Sequence, residues 1–193
     1  MPQVNLESLI IAAKAGKLVS FPTDTVPALA TLPACAGLIF QAKQRSQSKP
    51  LILMAGDVED MWQFTTGTDA EIAIWRDVAD RYLPGALTLV LPAADRIPAV
   101  MNPLGNRTIG LRVPANDVAR QILTQTGALA TTSANLSGQP PLLSIAEIQT
   151  SFPGVVSINI EGDILNPRQP STVIQWVDGG WRLLRQGGVI FAI

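Results

Sequence analysis

The sequence predicts an α/β domain whose strands run in both directions, and two observations carry that expectation. Along the 193 residues, short β-rich runs alternate with segments whose apolar residues recur at helical spacing. At the C-terminal end the alternation stops. There the run from Ser171 to Gly188 holds two β-rich stretches around Asp178-Gly179-Gly180, a hairpin signal that adds antiparallel pairing. Length adds that residues 1–193 form one domain, since the chain sits near the usual domain size.

Each element follows from local chemistry. Leu6 to Ala15 reads as a helix closed by Gly16, and LVSFPTDTV (18–26) as a short strand entering a proline-marked loop. Ala36 to Gln44 reads as a helix, and LILMAG (51–56) as a buried strand. Helical spacing returns over Val58–Phe64 and Ala70–Tyr82, and Pro84-Gly85 breaks the second before the strand LTLVLP (87–92). TIGLRVP (108–114) is the next strand, followed by a helix that starts at Asp117 as N-cap and runs to about Gln125. ALATTSA (128–134) is a strand, Ser144 and Glu147 have capping-box spacing for a helix reaching Phe152, and VVSINIE (155–161) is a strand after it.

Composition narrows the chemistry. Apolar residues make up 47%, enough for a core, yet no apolar run approaches the ~18 residues of a membrane helix, so a soluble protein is expected. The start has no basic leader, and the single Cys35 suits a reducing compartment, so a cytoplasmic location is expected. The chain contains no histidine. Ser-His-Asp hydrolysis, Cys-His nucleophiles and His-bearing zinc sites are therefore excluded. A net charge of −1 argues against a general nucleic-acid binder, but the charge is uneven: Lys43, Arg45 and Lys49 lie in the acid-free interval between Asp24 and Asp57, and Arg96, Arg107 and Arg112 in the one between Asp95 and Asp117. Two cationic stretches in a near-neutral protein point to a focused anion site. No GxxxxGK[ST] and no strand-borne GxGxxG is present, so side chains would hold a nucleotide's phosphates.

Three segments carry candidate chemistry. The run from Lys43 to Leu51 gathers three cations in a turn before a strand, a set suited to phosphate oxygens or simply to solvent. Thr108 and Arg112, at i and i+4, share one strand face, from which the guanidinium could clamp a carboxylate or sit in a rim ion pair. Thr131 to Gly138 packs small donors and acceptors after a strand, as a ligand loop or a capped turn would. Asp24, in FPTDTV (21–26), is the one acid embedded in a motif and suits a loop cap or a metal or water role. A binding module holding RNA by its phosphates is the competing reading, opposed by the near-zero charge and an aromatic content of 5%.

Together with FPTDTVPALA (21–30), PGALTLVLP (84–92), Ser171-Thr172-Val173 and Leu184-Arg185-Gln186-Gly187, these segments resemble the YrdC/TsaC family of threonylcarbamoyl-AMP synthases, in order from about Val19 to Val189. The resemblance implies a twisted mixed sheet with helices around a concave cavity. It also implies an ATP-dependent nucleotidyl transfer from L-threonine, bicarbonate and ATP, for threonylcarbamoyladenosine in tRNA. By position, Lys43, Arg45 and Lys49 resemble the triphosphate ligands and catalytic cations, and Thr108, Ser133, Asn135, Ser171 and Arg185 the other ATP contacts. Arg112 resembles the partner of the threonine carboxylate, with Thr25 and Thr131 beside the amino acid. Mg2+ is implied as the ATP counter-ion, with no protein metal ligands, and downstream threonylcarbamoyl-transfer proteins and weak tRNA or duplex RNA binding as partners. Two departures stand out: Pro27-Ala28-Leu29 where the family often has Tyr-Gly-Leu, and Met54 where many members have His. They leave room for a paralogue with altered amino-acid choice or no catalysis.

Overall fold

The computed structural model describes residues 4–44, 50–158 and 169–192. The first helix, α1 (Leu6–Lys14), begins where the Asn5 side chain accepts from the Ser8 N–H at 2.9 Å. It ends at Gly16, whose φ of +72° a glycine adopts without the cost a Cβ would impose. Strands β1 (Val19–Phe21) and β2 (Ala28–Thr31) follow, then α2 (Gly37–Ala42), β3 (Ile52–Met54) and the single turn α3 (Val58–Met61). Helix α4 (Asp69–Tyr82) carries a capping box in which Thr68 and Glu71 satisfy each other's backbone. After it come β4 (Leu87–Pro92), β5 (Thr108–Arg112), α5 (Asp117–Thr126), β6 (Leu129–Ser133), α6 (Ile145–Ser151), β7 (Val156–Ser157), β8 (Thr172–Val177) and β9 (Gly180–Arg185).

Four local expectations are refined. The N-cap of α5 is Asn116, which accepts from the Ala119 N–H at 2.9 Å; Asp117 is the first helical residue and serves as first-turn acid. The strand expected over 18–26 covers only Val19–Phe21, and residues 28–31, to which the sequence gives no element, form β2 through pairing with β1 and β6 on both edges. The segment 58–64 splits into α3 and a 3₁₀ turn, and α2 stops at Ala42. The hairpin at Asp178-Gly179 is present, both residues having positive φ as its tight turn requires.

The strands form one mixed sheet in the order β7-β1-β2-β6-β3-β5-β4-β8-β9. β1 pairs with β7, β3 with β5 and β4 with β8 in parallel; the other neighbours are antiparallel. Register then sorts side chains to two faces, because successive residues of a strand point oppositely. Leu53, Leu89, Leu111, Ala130 and Ile174 fall on one face and join Phe40 of α2 and Trp75, Val78 and Ala79 of α4 in the largest apolar cluster. Each fully buried Leu or Ile there contributes roughly 1.5–3 kcal/mol. On the opposite face, α1 and α5 pack over Val19, Phe21, Ala28, Ala30, Met54 and Leu129, of which Ala28 and Met54 also reach the cavity. The remainder of that second face lies open and becomes the floor of a cavity.

Candidate functional site

The cavity encloses about 380 Å3, within the size range of small-molecule sites. Its floor comes from residues one step out of phase with the apolar core: Ile52 and Met54 of β3, Thr88 of β4, Arg112 of β5, Thr131 and Ser133 of β6 and Val173 of β8. Gly110 keeps that floor flat. A Cβ there would stand 2.7 Å from Ile52 Cγ2, so the absence of a side chain lets β3 and β4 close beneath the ligand space.

Arg112 reaches the cavity from β5. Although it is only 3% exposed, each of its guanidinium nitrogens has a partner: Nη2 donates to Asp24 Oδ1 at 2.6 Å, Nη1 to Thr25 Oγ1 at 2.8 Å and Nε to the Gly85 carbonyl at 3.0 Å. The Asp24 partner is itself nine-tenths buried. Burial pulls the Arg112 pKa below its ordinary value, Asp24 opposes that, and the positive charge of Arg185 adds a smaller downward push. A guanidinium this basic still stays protonated. Arg112 and Arg185 line the same cavity.

Arg185 lines the same cavity from the edge strand β9, and its hydrogen bonds go to neutral oxygens. Nε and Nη2 donate to the Ser171 carbonyl at 3.1 and 2.8 Å, and Nη2 reaches Ser171 Oγ at 3.2 Å. Ser171 Oγ lies 2.9 Å from Thr88 Oγ1, which completes a buried hydroxyl pair in the wall. Among the described residues no carboxylate forms an ion pair with Arg185. Desolvation lowers its pKa. A guanidinium held by neutral oxygens suits an anion; one already matched to a carboxylate suits a ligand bearing both signs.

Of the sequence candidates, Thr25, Arg112, Thr131, Ser133, Ser171 and Arg185 all line the cavity. Three others stand elsewhere or act differently. Thr108 shares Arg112's strand face, but four residues of extended chain carry it about 13 Å along β5, to the end paired with Pro92 and outside the lining. Lys43 is buried, not solvated: its ammonium donates to the Ser133 carbonyl and, at 2.9 Å, to Asn135 Oδ1. Asn135 lies outside the lining, accepts from Ser133 Oγ at 2.6 Å and donates to the Leu136 and Gln139 carbonyls, so it organises its own loop. Arg45 and Lys49 lie outside the described residues. Thr88 went unnoticed in the sequence, though a lone hydroxyl between Leu87 and Leu89 in a buried strand marks a face that differs from the core. The Asp24–Arg112 pair had no sequence signal, because its members are 88 positions apart.

The Sua5/YciO/YrdC family model, described as telomere recombination, matches residues 12–187. The chain belongs to the Sua5/YciO/YrdC family. That bears out the resemblance read from the motifs. Among its relatives, the threonylcarbamoyl-AMP synthase of Pyrococcus abyssi is 34% identical over 178 residues, covering 90% of this chain and 51% of that protein. The Mus musculus threonylcarbamoyl-AMP synthase is 30% identical over 192 residues, covering 94% of this chain and 66% of that one. The chain thus spans about half to two thirds of the length of these relatives. The crystal structure of P. abyssi Sua5 complexed with L-threonine superposes with a TM-score of 0.82 at 31% identity, over 97% of this chain and 56% of that one. The mixed sheet with its flanking helices is therefore the fold of the Sua5/YciO/YrdC family. Among the described residues, no helix is long and apolar enough to cross a membrane.

Proposed function

We propose that this chain is a threonylcarbamoyl-AMP synthase, a nucleotidyltransferase that joins L-threonine, bicarbonate and ATP into threonylcarbamoyl-AMP and pyrophosphate. The observation that carries the reading is a single cavity with two differently accompanied guanidiniums, Arg112 matched to Asp24 and Arg185 held by neutral oxygens. An amino acid meets the first and a nucleotide the second. The threonine complex of the P. abyssi relative supports the choice of amino acid.

The chemistry needs no histidine. The threonine amine, once it has lost its ammonium proton, adds to bicarbonate-derived CO2 and gives a carbamate. A carbamate oxygen then attacks the α-phosphorus of ATP, the bond to the β-phosphate bridging oxygen breaks, and pyrophosphate leaves with the electron pair. Both nucleophile and leaving group come from substrates, so the protein aligns them and meets developing charge. Arg112 with Thr25 and Thr131 holds the amino acid; Ser133, Ser171 and Arg185 hold the nucleotide; Arg45 and Lys49 receive the triphosphate. Lys43, through its bonds to Ser133 and Asn135, fixes the loop that carries the nucleotide's partners. Mg2+ accompanies ATP. The ion rides on the phosphates, and no step is routed through it. The product passes to threonylcarbamoyl-transfer proteins acting on tRNA, in the cytoplasm, and any contact with RNA is weak and salt-sensitive.

A pyrophosphate-release assay tests this directly. Release is expected only with threonine, bicarbonate and ATP together. Release that persists without threonine or without bicarbonate would refute the proposal.

A further inference from the structure

We propose that Asp24 is a positioning residue for amino-acid binding, fixing the Arg112 guanidinium and matching its charge so that the incoming carboxylate meets a preset fork. This rests on the synthase reading and assigns Asp24 a part in it.

Arg112 has five N–H donors, and the three bonds to Asp24, Thr25 and Gly85 use three of them. One N–H remains on each terminal nitrogen, leaving two donors for an incoming carboxylate. The orientation of that pair is decided by the three partners, and Asp24 is the only charged one. Its own place is fixed by the turn around it: Thr23 Oγ1 accepts from the Thr25 N–H at 3.1 Å, donates to the Val26 carbonyl at 2.8 Å and lies 3.1 Å from Thr25 Oγ1. Asp24 and Thr25 therefore grip two nitrogens of the guanidinium from one rigid turn, while Gly85 holds the third from a different loop.

Charge supplies the second argument. Arg112 is 97% sealed from solvent, and an unmatched guanidinium so placed would carry a large desolvation cost. With Asp24 2.6 Å from Nη2, the charge of Arg112 is matched before the ligand arrives. A zwitterion then enters without leaving net charge behind, whereas a bare anion would leave one. Asp24 is absent from the lining, so it acts through Arg112 rather than on the substrate.

The test replaces Asp24 by Asn, which keeps shape and removes charge, and by Glu, which keeps charge and shifts the oxygens by one methylene. Steady-state pyrophosphate release is measured with threonine and ATP varied in turn. KM is the deciding readout because a partly unfolded preparation lowers apparent kcat without altering it. For Asp24→Asn the threonine KM should rise by about ten- to a hundredfold, the scale of one charge-assisted hydrogen bond, with the ATP KM within about threefold of wild type. Asp24→Glu should show a smaller rise with the same selectivity, and it serves alone if the Asn variant does not fold. Equal changes in both KM values would mean a merely structural residue and overturn the proposal. A lower threonine KM would do so too, since Asp24 would then compete for the fork. If the wild-type protein shows no threonine dependence, the synthase reading falls and takes this one with it; threonine dependence unchanged by either substitution removes this one alone.

Discussion

Leu111 and Arg112 are adjacent in β5, both almost fully buried, and they belong to different parts of the molecule. Leu111 enters the apolar cluster beneath α2 and α4; Arg112 enters the cavity on the reverse of the same sheet. The contrast repeats along the sheet: Leu53 against Met54, Leu89 against Thr88, Ile174 against Val173. Burial alone therefore does not separate core from site here. What separates them is whether a helix covers the face, and how polar atoms on the uncovered face are partnered.

Breaking the core side should cost stability and spare binding. Leu111→Ala is expected to lower the unfolding free energy by ~2–5 kcal/mol in urea denaturation, while the threonine and ATP KM values of the folded fraction stay near wild type. A change in KM with little loss of stability would show that the two faces are not separable.

Arg112→Lys does the reverse. It keeps the charge beside Asp24 and loses the planar fork, so the threonine KM should rise by ~10–100-fold and the ATP KM little. Arg185→Ala should show the opposite selectivity in the same assay. Equal effects of either substitution on both substrates would erase the distinction between the two guanidiniums.

Gly110→Ala sharpens the comparison, because it adds one methyl to the cavity face without touching the core face. With Ile52 Cγ2 2.7 Å from the new Cβ, a loss of ~1–3 kcal/mol is expected together with a rise in substrate KM. Unaltered KM values would mean that the floor of the cavity tolerates displacement.

The smallest effect concerns α4, on the core face. Glu71 accepts from the Thr68 N–H and side chain at 2.9 and 2.8 Å and from Trp176 Nε1 at 3.1 Å, and these bonds, the backbone one foremost, lower its pKa. A lowered carboxyl pKa contributes stability that is fully present above the ordinary glutamate value and is lost as pH falls through the lowered one. Glu71→Gln should therefore melt slightly below wild type near pH 7, and the difference should shrink below about pH 4.3. A pH-independent difference in melting temperature would assign the effect to packing instead.

Several features were legible because they are local. Gly16 ends α1, Ser144 and Glu147 cap α6 as spaced, and Asp178-Gly179 turns the last hairpin, all from chemistry within a few residues. Where neighbours in space decide, the sequence misled. Ala28–Thr31 became a strand through pairing on both sides, Thr108 fell outside the cavity through distance along its strand, and the ammonium of Lys43 turned inward to Ser133 and Asn135 rather than out to solvent.

By itself the sequence determined the alternation of strands and helices, the want of imidazole chemistry and the candidates Thr25, Arg112, Thr131, Ser133, Ser171 and Arg185, since these depend on residue type, period and motif order. Only the tertiary structure decided which sheet face α1 and α5 leave open, and only it matched Arg112 to Asp24 while leaving Arg185 among neutral oxygens. The physical reason is distance along the chain. Partners 88 positions apart leave no trace in local spacing, and electrostatic matching in a desolvated cavity exists only once folding has brought them within 2.6 Å.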